Sequence, residues 1–315
     1  MPDSPLPPIV TLSLNPALDV STSVDRVVSR HKLRCDAPRV QAGGGGVNVA
    51  RVVVALGGDA IPVYAVGGLT GDRYRMLLQQ EGLPGIPIPI GGETRESISV
   101  VDRADHEQYR FVFPGPTLTS GECGQLVDAV AGLLAPGSWL VMSGSLPPGA
   151  PDDIVARVIR VAHDHGARCA VDVSGTALAQ AVAAGVDLVK PSLRELSELI
   201  GHELGTAPEQ DLALKDLIAR SGVGTIALTL GAEGAAIATR DGVERAPAFP
   251  VVERSTVGSG DAFLAAYLLR SMQGSSVADA LRGALAAGAA VASMEGTGAP
   301  HRELVERWEA RGGSR

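Results

Sequence analysis

Between residues 119 and 230 the chain alternates steadily between helix-period and strand-type segments. The pattern predicts helix 119–134, strand 138–143, helix 151–165, strand 168–173, helix 176–184 and strand 186–190. It continues with helices 193–200 and 208–220 and strand 224–230. Short apolar strands joined through helices pair in parallel, and a parallel sheet needs helices on both of its faces. Upstream, strands are predicted over 9–14, closed by Asn15-Pro16, and over 61–66. Helices are predicted over 47–56 and 72–81, stopped by Gly57-Gly58 and Gly82. This is the pattern of an α/β chain with a mostly parallel central sheet.

Two regions break the alternation. Segments 97–102 and 108–113 are short, β-prone and joined by a polar loop, as in a hairpin. Segment 21–40 mixes charge with Val and Leu and does not read as a core strand. We read 1–315 as one α/β domain, with 21–40 and 94–114 forming a smaller β layer. That layer is expected to act as a lid over the crevice at the strand C-termini, where open α/β sheets bind ligands. A small β-meander over 234–251 and helices near 260–273, 276–293 and 301–310 close the chain. Hydrophobic residues make up 45% but aromatics only 3%, so the core must be built from Val, Leu, Ile and Ala.

Several classes are excluded. The net charge of −8 argues against a nucleic-acid partner, although it leaves anionic small molecules open because a site is local. No apolar run approaches the 18 or so residues of a spanning helix, and the first eight residues hold four prolines and no basic residue, unlike a signal peptide. Cys35, Cys123 and Cys169 form no CxxC pair, which fits buried thiols in a reducing cytoplasm. GxxxxGK[ST], GxGxxG after a strand, HExxH and GxSxG are all absent.

What remains is a set of anion-binding signals. In the run 255–263, Gly258, Ser259 and Gly260 lead into an apolar helix, so successive backbone N–H groups can converge at its positive end. Asp261 stands where such a nest holds a phosphoryl group and could accept a hydroxyl proton; an acidic first-turn cap is the alternative. Four glycines at 43–46 permit close backbone approach before a helix. There Asn48 offers a donor and an acceptor to sugar hydroxyls, and Asp19 after the first strand could accept from them; a hinge and a turn are the alternatives. Lys32, Arg34, Arg95 and Arg110 form a basic group in or beside the lid, suited to a second phosphate or merely solvated. Glu195, at a strand-to-helix junction, suits either a hydrated Mg²⁺ or the helix dipole. The tight turn from Thr229 through Gly231 to Gly234 could let a nucleotide approach backbone, or be an ordinary hairpin turn.

GGGGVNVAR at 43–51 and STVGSGDAF at 255–263, in this order, resemble the two signatures of the ribokinase-like (PfkB) family of sugar kinases. KLRC at 32–35, EQYRFVFPG at 107–115 and SGSLPPG at 143–149 extend the likeness to members that act on fructose 6-phosphate. The resemblance implies a ribokinase-like α/β fold with a β-sheet lid and ATP-dependent phosphorylation of the sugar 1-hydroxyl. It implies a base at Asp261 and an anion hole from Gly258, Ser259 and Gly260. Sugar contacts fall to Asp19, Gly44, Gly45 and Asn48, and substrate-phosphate contacts to Lys32, Arg34 and Arg95, with Ser145 close by. Nucleotide contacts fall to Lys190, Arg194, Thr229, Gly231 and Gly234.

Mg²⁺ placement is implied at Glu195, with Ser192 standing where the family usually has asparagine. A K⁺ site near Ser255 and Gly296 and a homodimer formed through the lid are further implications. Relatives acting on tagatose 6-phosphate or fructose 1-phosphate commonly carry a lysine inside the glycine run, and here it is glycine. Those two activities are the alternatives, and a non-catalytic sugar-phosphate sensor is the alternative from another class.

Overall fold

The computed structural model describes residues 6–252, 257–294 and 298–311. Thirteen strands lie among them: β1 (Ile9–Ser13), β2 (Ala17–Val24), β3 (Arg39–Gly43), β4 (Ala60–Val66), β5 (Ile86–Pro89), β6 (Arg95–Asp102), β7 (Gln108–Val112), β8 (Trp139–Ser143), β9 (Arg168–Asp172), β10 (Leu188–Val189), β11 (Thr225–Thr229), β12 (Ala235–Thr239) and β13 (Gly242–Ala246). The helices are α1 (Gly45–Ala55), α2 (Gly68–Gln80), α3 (Ser120–Ala131), α4 (Ile154–Asp164), α5 (Thr176–Ala183), α6 (Leu193–Ile200), α7 (Ala207–Ser221), α8 (Ser259–Met272), α9 (Val277–Ala292) and α10 (Arg302–Arg311).

Nine strands form one sheet in the order β13-β12-β11-β10-β9-β8-β1-β4-β5. It is parallel from β5 to β11, with β12 and β13 antiparallel. Side chains alternate between faces along each strand. Val10, Leu12, Leu140, Met142, Cys169 and Val171 pack under α3, α4 and α5. Ile9, Trp139, Val141 and Ala170 pack on the opposite face under α1, α8 and α9. On that second face the helices are largely alanine: Ala280, Ala284, Ala286, Ala287 and Ala290 of α9 are buried, which lets it lie close to α8.

The lid is a second sheet, ordered β3-β2-β6-β7. β2 pairs antiparallel with β3 and parallel with β6, and β6–β7 is the expected hairpin. The lid strands reach further toward the body than 21–40 suggests, because β2 begins at Ala17 and β3 ends at Gly43. The residues between them, 25–38, carry no regular structure.

One strand escapes the sequence pattern. β5 reads Ile-Pro-Ile-Pro, and proline removes a ladder donor. It survives because β5 is the sheet edge, bonded on one side only. Among the described residues, no helix is long and apolar enough to cross a membrane.

Strand order reverses about β1: β4 and β5 lie on one side of it, β8 to β11 on the other. At such a switch point the loops leaving the strand C-termini part and open a crevice. Here the lid stands over that opening.

Candidate active site

The chain leaves β1 at Ser13 and turns through Asn15-Pro16 into the lid. It returns from β3 straight into α1, whose N-cap is Gly44 at φ 121°, a conformation that disfavours any side chain. At Gly45 a Cβ would lie 2.1 Å from Ser143 Oγ and 2.8 Å from the Ser143 carbonyl carbon, so only glycine lets α1 start this close to the end of β8. At Gly43 a Cβ would lie 2.0 Å from Asp19 Oδ2.

These approaches shape a crevice of about 380 Å³ between body and lid. Asp19, Gly44, Gly45 and Asn48 line it, with Arg95 and Arg110 from the lid, Ser145 from the loop after β8, Glu195 from α6, and Gly258 and Asp261 from the start of α8.

A second cavity, of about 470 Å³, is lined by Thr229, Gly231 and Gly234, by Phe249, Val251, Phe263 and Ala289, and by Ser259 and Gly260. It is mostly apolar. The two cavities therefore meet at one place, the first turn of α8. Gly258 is the N-cap there, at φ 84°, and no side chain among the described residues caps the helix. Ser259 Oγ is buried with no hydrogen-bond partner among the described residues. The first-turn N–H groups of α8, which have no acceptor within the helix, and its positive dipole end thus face the junction.

Asp261 is held by two donors. Asn48 Nδ2 donates to its Oδ2 at 2.9 Å and Ser143 Oγ donates to its Oδ1 at 3.2 Å. Burial raises its carboxyl to about 6, and nearby Asp172 pushes the same way, against Asn48, Lys190 and Ser143. Lys190 Nζ pairs with Asp172 Oδ2 at 3.1 Å and lies beside Gly260. Burial works against the Lys190 ammonium, but Asp172, Asp261 and Glu195 prevail and raise its pKa. Asp19 is likewise raised to about 6 by burial, with Arg110, Arg95 and Arg51 opposing. The acidic chain thus has a crevice in which burial raises the carboxyls of Asp19 and Asp261 and arginines face Asp19.

Four of the residues singled out from sequence sit differently. Lys32 and Arg34 are exposed on the irregular 25–38 segment and do not line the crevice. Arg194 reaches along α6 to Glu198 at 2.9 Å and points into solvent. The cause is helical spacing: i and i+4 share a face, and this face is the outer one. Ser192 is the N-cap of α6. Its Oγ accepts from Glu195 N at 3.3 Å and its backbone N–H donates to Glu195 Oε2 at 2.8 Å, a reciprocal capping box. The shorter side chain suits a cap rather than a distant reach. Ser255 and Gly296, named for a K⁺ site, lie outside the described residues.

Three residues were not anticipated. Ser143 and Asp172 end neighbouring strands and are register partners in the sheet. A carboxylate at a parallel-strand C-terminus, as in Val171-Asp172-Val173, is a signal that could have found one of them. Arg51, in α1, backs Asn48, as described below.

Residues 15–304 match the pfkB family carbohydrate kinase. The chain belongs to this family. Relatives of this pfkB carbohydrate kinase include the ATP-dependent 6-phosphofructokinase isozyme 2 of Mycobacterium tuberculosis H37Rv, 43% identical over 97% of this chain and 90% of that protein. The protein of the same name from Escherichia coli K12 is 37% identical over 92% of this chain and 94% of its own. The 1-phosphofructokinase of Rhodobacter capsulatus is 34% identical over 87% of each.

Crystal structures of the E. coli phosphofructokinase-2 superpose over 97% of this chain and 99% of that one. The complex with potassium gives a TM-score of 0.92 at 36% identity, and the complex with fructose-6-phosphate gives 0.91 at 34%. A tetrameric inhibited form gives 0.90 at 35%. The fold of this chain is thus matched over 97% of its length.

Proposed function

We propose that this pfkB kinase transfers the γ-phosphoryl group of ATP to the 1-hydroxyl of fructose 6-phosphate. The meeting of two cavities at the uncapped start of α8 carries the reading: one is apolar and glycine-edged, the other polar with two arginines. The apolar cavity takes the nucleotide, past Thr229, Gly231 and Gly234, with Lys190 beneath the phosphates. The polar crevice takes the sugar against Asp19, Gly44, Gly45 and Asn48, and its 6-phosphate against Arg95, Arg110 and Ser145. Asp261 accepts the hydroxyl proton. The N–H groups of Gly258, Ser259 and Gly260 hold the charge of the transferred group, which in phosphoryl transfer is most of the catalytic task.

Among the described residues no cluster of three metal-ligating side chains exists. Mg²⁺ needs no such cluster, since it takes one or two carboxylates and otherwise waters and phosphates. Glu195 would hold it, because Ser192 engages only Oε2 and its own hydroxyl is used in the cap. Once bound there, the ion would neutralise phosphate charge. Lys32 and Arg34 reach a bound 6-phosphate only if their segment folds inward or if a second copy's crevice lies beside them. The free thiols Cys35, Cys123 and Cys169 suit a cytoplasmic setting.

A coupled kinase assay over fructose 6-phosphate, tagatose 6-phosphate, fructose 1-phosphate and fructose tests the assignment. The expected order places fructose 6-phosphate first in kcat/KM and fructose lower by roughly 10²-fold or more, from lost charge-assisted hydrogen bonds. Fructose equal to the phosphorylated sugars would sink the basic-clamp reading, and fructose 1-phosphate in first place would reassign the substrate. Binding of sugar phosphate without turnover would make the protein a sensor.

The lid also carries a dimer reading. Two of the four phenylalanines in the chain, Phe111 and Phe113, are exposed on or just after β7, in alternation with exposed Tyr109. β7 is an edge strand, so its outer backbone groups are open too. An apolar face on an open edge is what a second lid would cover. Sedimentation at micromolar concentration is expected to give a dimer for the native chain and a monomer for Phe111→Asp. A native monomer would remove the reading.

A further inference from the structure

We propose that Arg51 is a positioning residue for the catalytic base: its guanidinium locks the Asn48 side-chain amide with the N–H end turned to Asp261. The inference rests on the reading of Asp261 as base. An amide has one donor end and one acceptor end, and either can face a neighbour. Here Asn48 is buried between two groups that each tolerate only one end. Asp261 Oδ2 accepts from Nδ2 at 2.9 Å. Arg51 Nη1 donates to Oδ1 at 2.7 Å. A guanidinium has no acceptor and an ionised carboxylate has no donor. A flipped amide would set donor against donor at one end and oxygen against carboxylate at the other.

Arg51 is itself held firmly. It lies one turn beyond Asn48 on α1, so the two share a face. Nη2 donates to the Ala42 carbonyl of β3 at 2.6 Å and Nε donates to Glu81 Oε2, just past α2, at 2.8 Å. Its side chain is only 10% exposed. The guanidinium is thus pinned to β3 and to the end of α2, with Nη1 aimed at Asn48. The charged and titratable groups around it are Glu81 and Tyr74 on the α2 side and Asp19 on β2. Those facing Asp261 are Asp172 at the end of β9 and Lys190 after β10.

The consequence concerns protonation. A donor facing Asp261 favours the carboxylate, the form able to take the hydroxyl proton. An amide freed from Arg51 can present Oδ1 instead and accept from a protonated Asp261, which favours the inactive acid. Arg51 touches neither substrate nor reacting atoms; it acts through Asn48. A plain structural strut would lower activity equally at every pH.

The test is kcat against pH for Arg51→Met, Arg51→Lys, Asn48→Ala and the double variant Arg51→Met/Asn48→Ala, with thermal melts for each. Arg51→Met is expected to move the acid limb upward by about one pH unit, roughly a tenfold loss below the limb, and to recover toward native kcat at alkaline pH. Arg51→Lys, which keeps a donor without an acceptor, is expected to hold the limb near its native position. In the Asn48→Ala background, Arg51→Met is expected to add no further shift. A loss uniform in pH, or an equal shift in both backgrounds, overturns the proposal. Should Arg51→Met fail to fold, Arg51→Gln carries the same test, since its amide can face Asn48 with either end. Asp261→Asn measured alongside separates the two failures. Near-normal turnover there removes the base itself, while strong dependence on Asp261 with an unmoved limb removes only the role of Arg51.

Discussion

Asp261→Asn is expected to cut kcat by roughly 10²–10⁴-fold with a modest change in KM, and at the same time to raise the melting temperature. The first effect follows from removing a proton acceptor that acts only in the transition state. The second follows from burial. The Asp261 carboxyl is raised to about 6 in the folded chain against 3.8 without the fold. Holding it ionised therefore costs stability above about pH 6, and the cost disappears below about pH 4. The difference is of order 1–3 kcal/mol at neutral pH. Asparagine keeps the shape and loses the charge, so the variant gains that stability near pH 7 and little at pH 4. The native kcat profile is expected to fall below about pH 6 for the same reason. Rate measurements from pH 5 to 8 and melts at pH 4 and 7 check both. Turnover close to native would reduce Asp261 to a helix-capping carboxylate.

Arg95→Ala is expected to raise KM for fructose 6-phosphate by roughly 10–100-fold while leaving the weak activity on fructose nearly unchanged. Arg95 sits at the start of β6 and reaches back to the body. Its Nε and Nη2 donate to the Asn15 carbonyl at 3.3 and 3.1 Å, and Nη1 donates to the Phe113 carbonyl at 3.2 Å. Asn15 in turn donates from Nδ2 to Ser145 Oγ at 3.1 Å. The guanidinium and the Ser145 hydroxyl are thus brought to one mouth of the crevice through a single hinge residue. Arg95→Lys keeps the charge but not the planar fork, and is expected to recover only part of the loss. If the ratio of kcat/KM for fructose 6-phosphate over fructose did not move in Arg95→Ala, the phosphate would be recognised elsewhere. Arg110 would then be the next residue to replace.

How far the site could be read from residues depended on how local each part is. The nest and Asp261 lie within four consecutive positions, 258–261, and a helix start determines their mutual geometry whatever surrounds it. The same holds for the glycine run and Asn48. Basic residues were less legible. Arg95, Arg110, Lys32 and Arg34 look alike as charges near a lid. Only the pairing of β6 with β2 and β7 turns the first two toward the crevice and leaves the last two outside. Arg194 and Glu195 are neighbours in sequence, yet they leave α6 on different faces. One meets solvent and the other the crevice. Ser192 resembled a ligand position because of what it replaces, and its neighbour three residues on made it a cap.

The amino-acid sequence by itself determined the layered α/β architecture, the hairpin of the lid and the address of the anion nest. Periodicity, turn residues and helix starts act over a few residues and need no tertiary partner to be read. The tertiary structure alone decided which groups surround the base. Asn48 and Asp261 are 213 positions apart and Ser143 and Asp261 are 118 apart. No local pattern relates them. The register of β8 against β9 and the close start of α1 on the end of β8 bring them within hydrogen-bonding distance. The burial that comes with this assembly, with Asp172 nearby, raises the carboxyl of Asp261 toward the pH at which a base is useful, while the two donors hold it back from rising further.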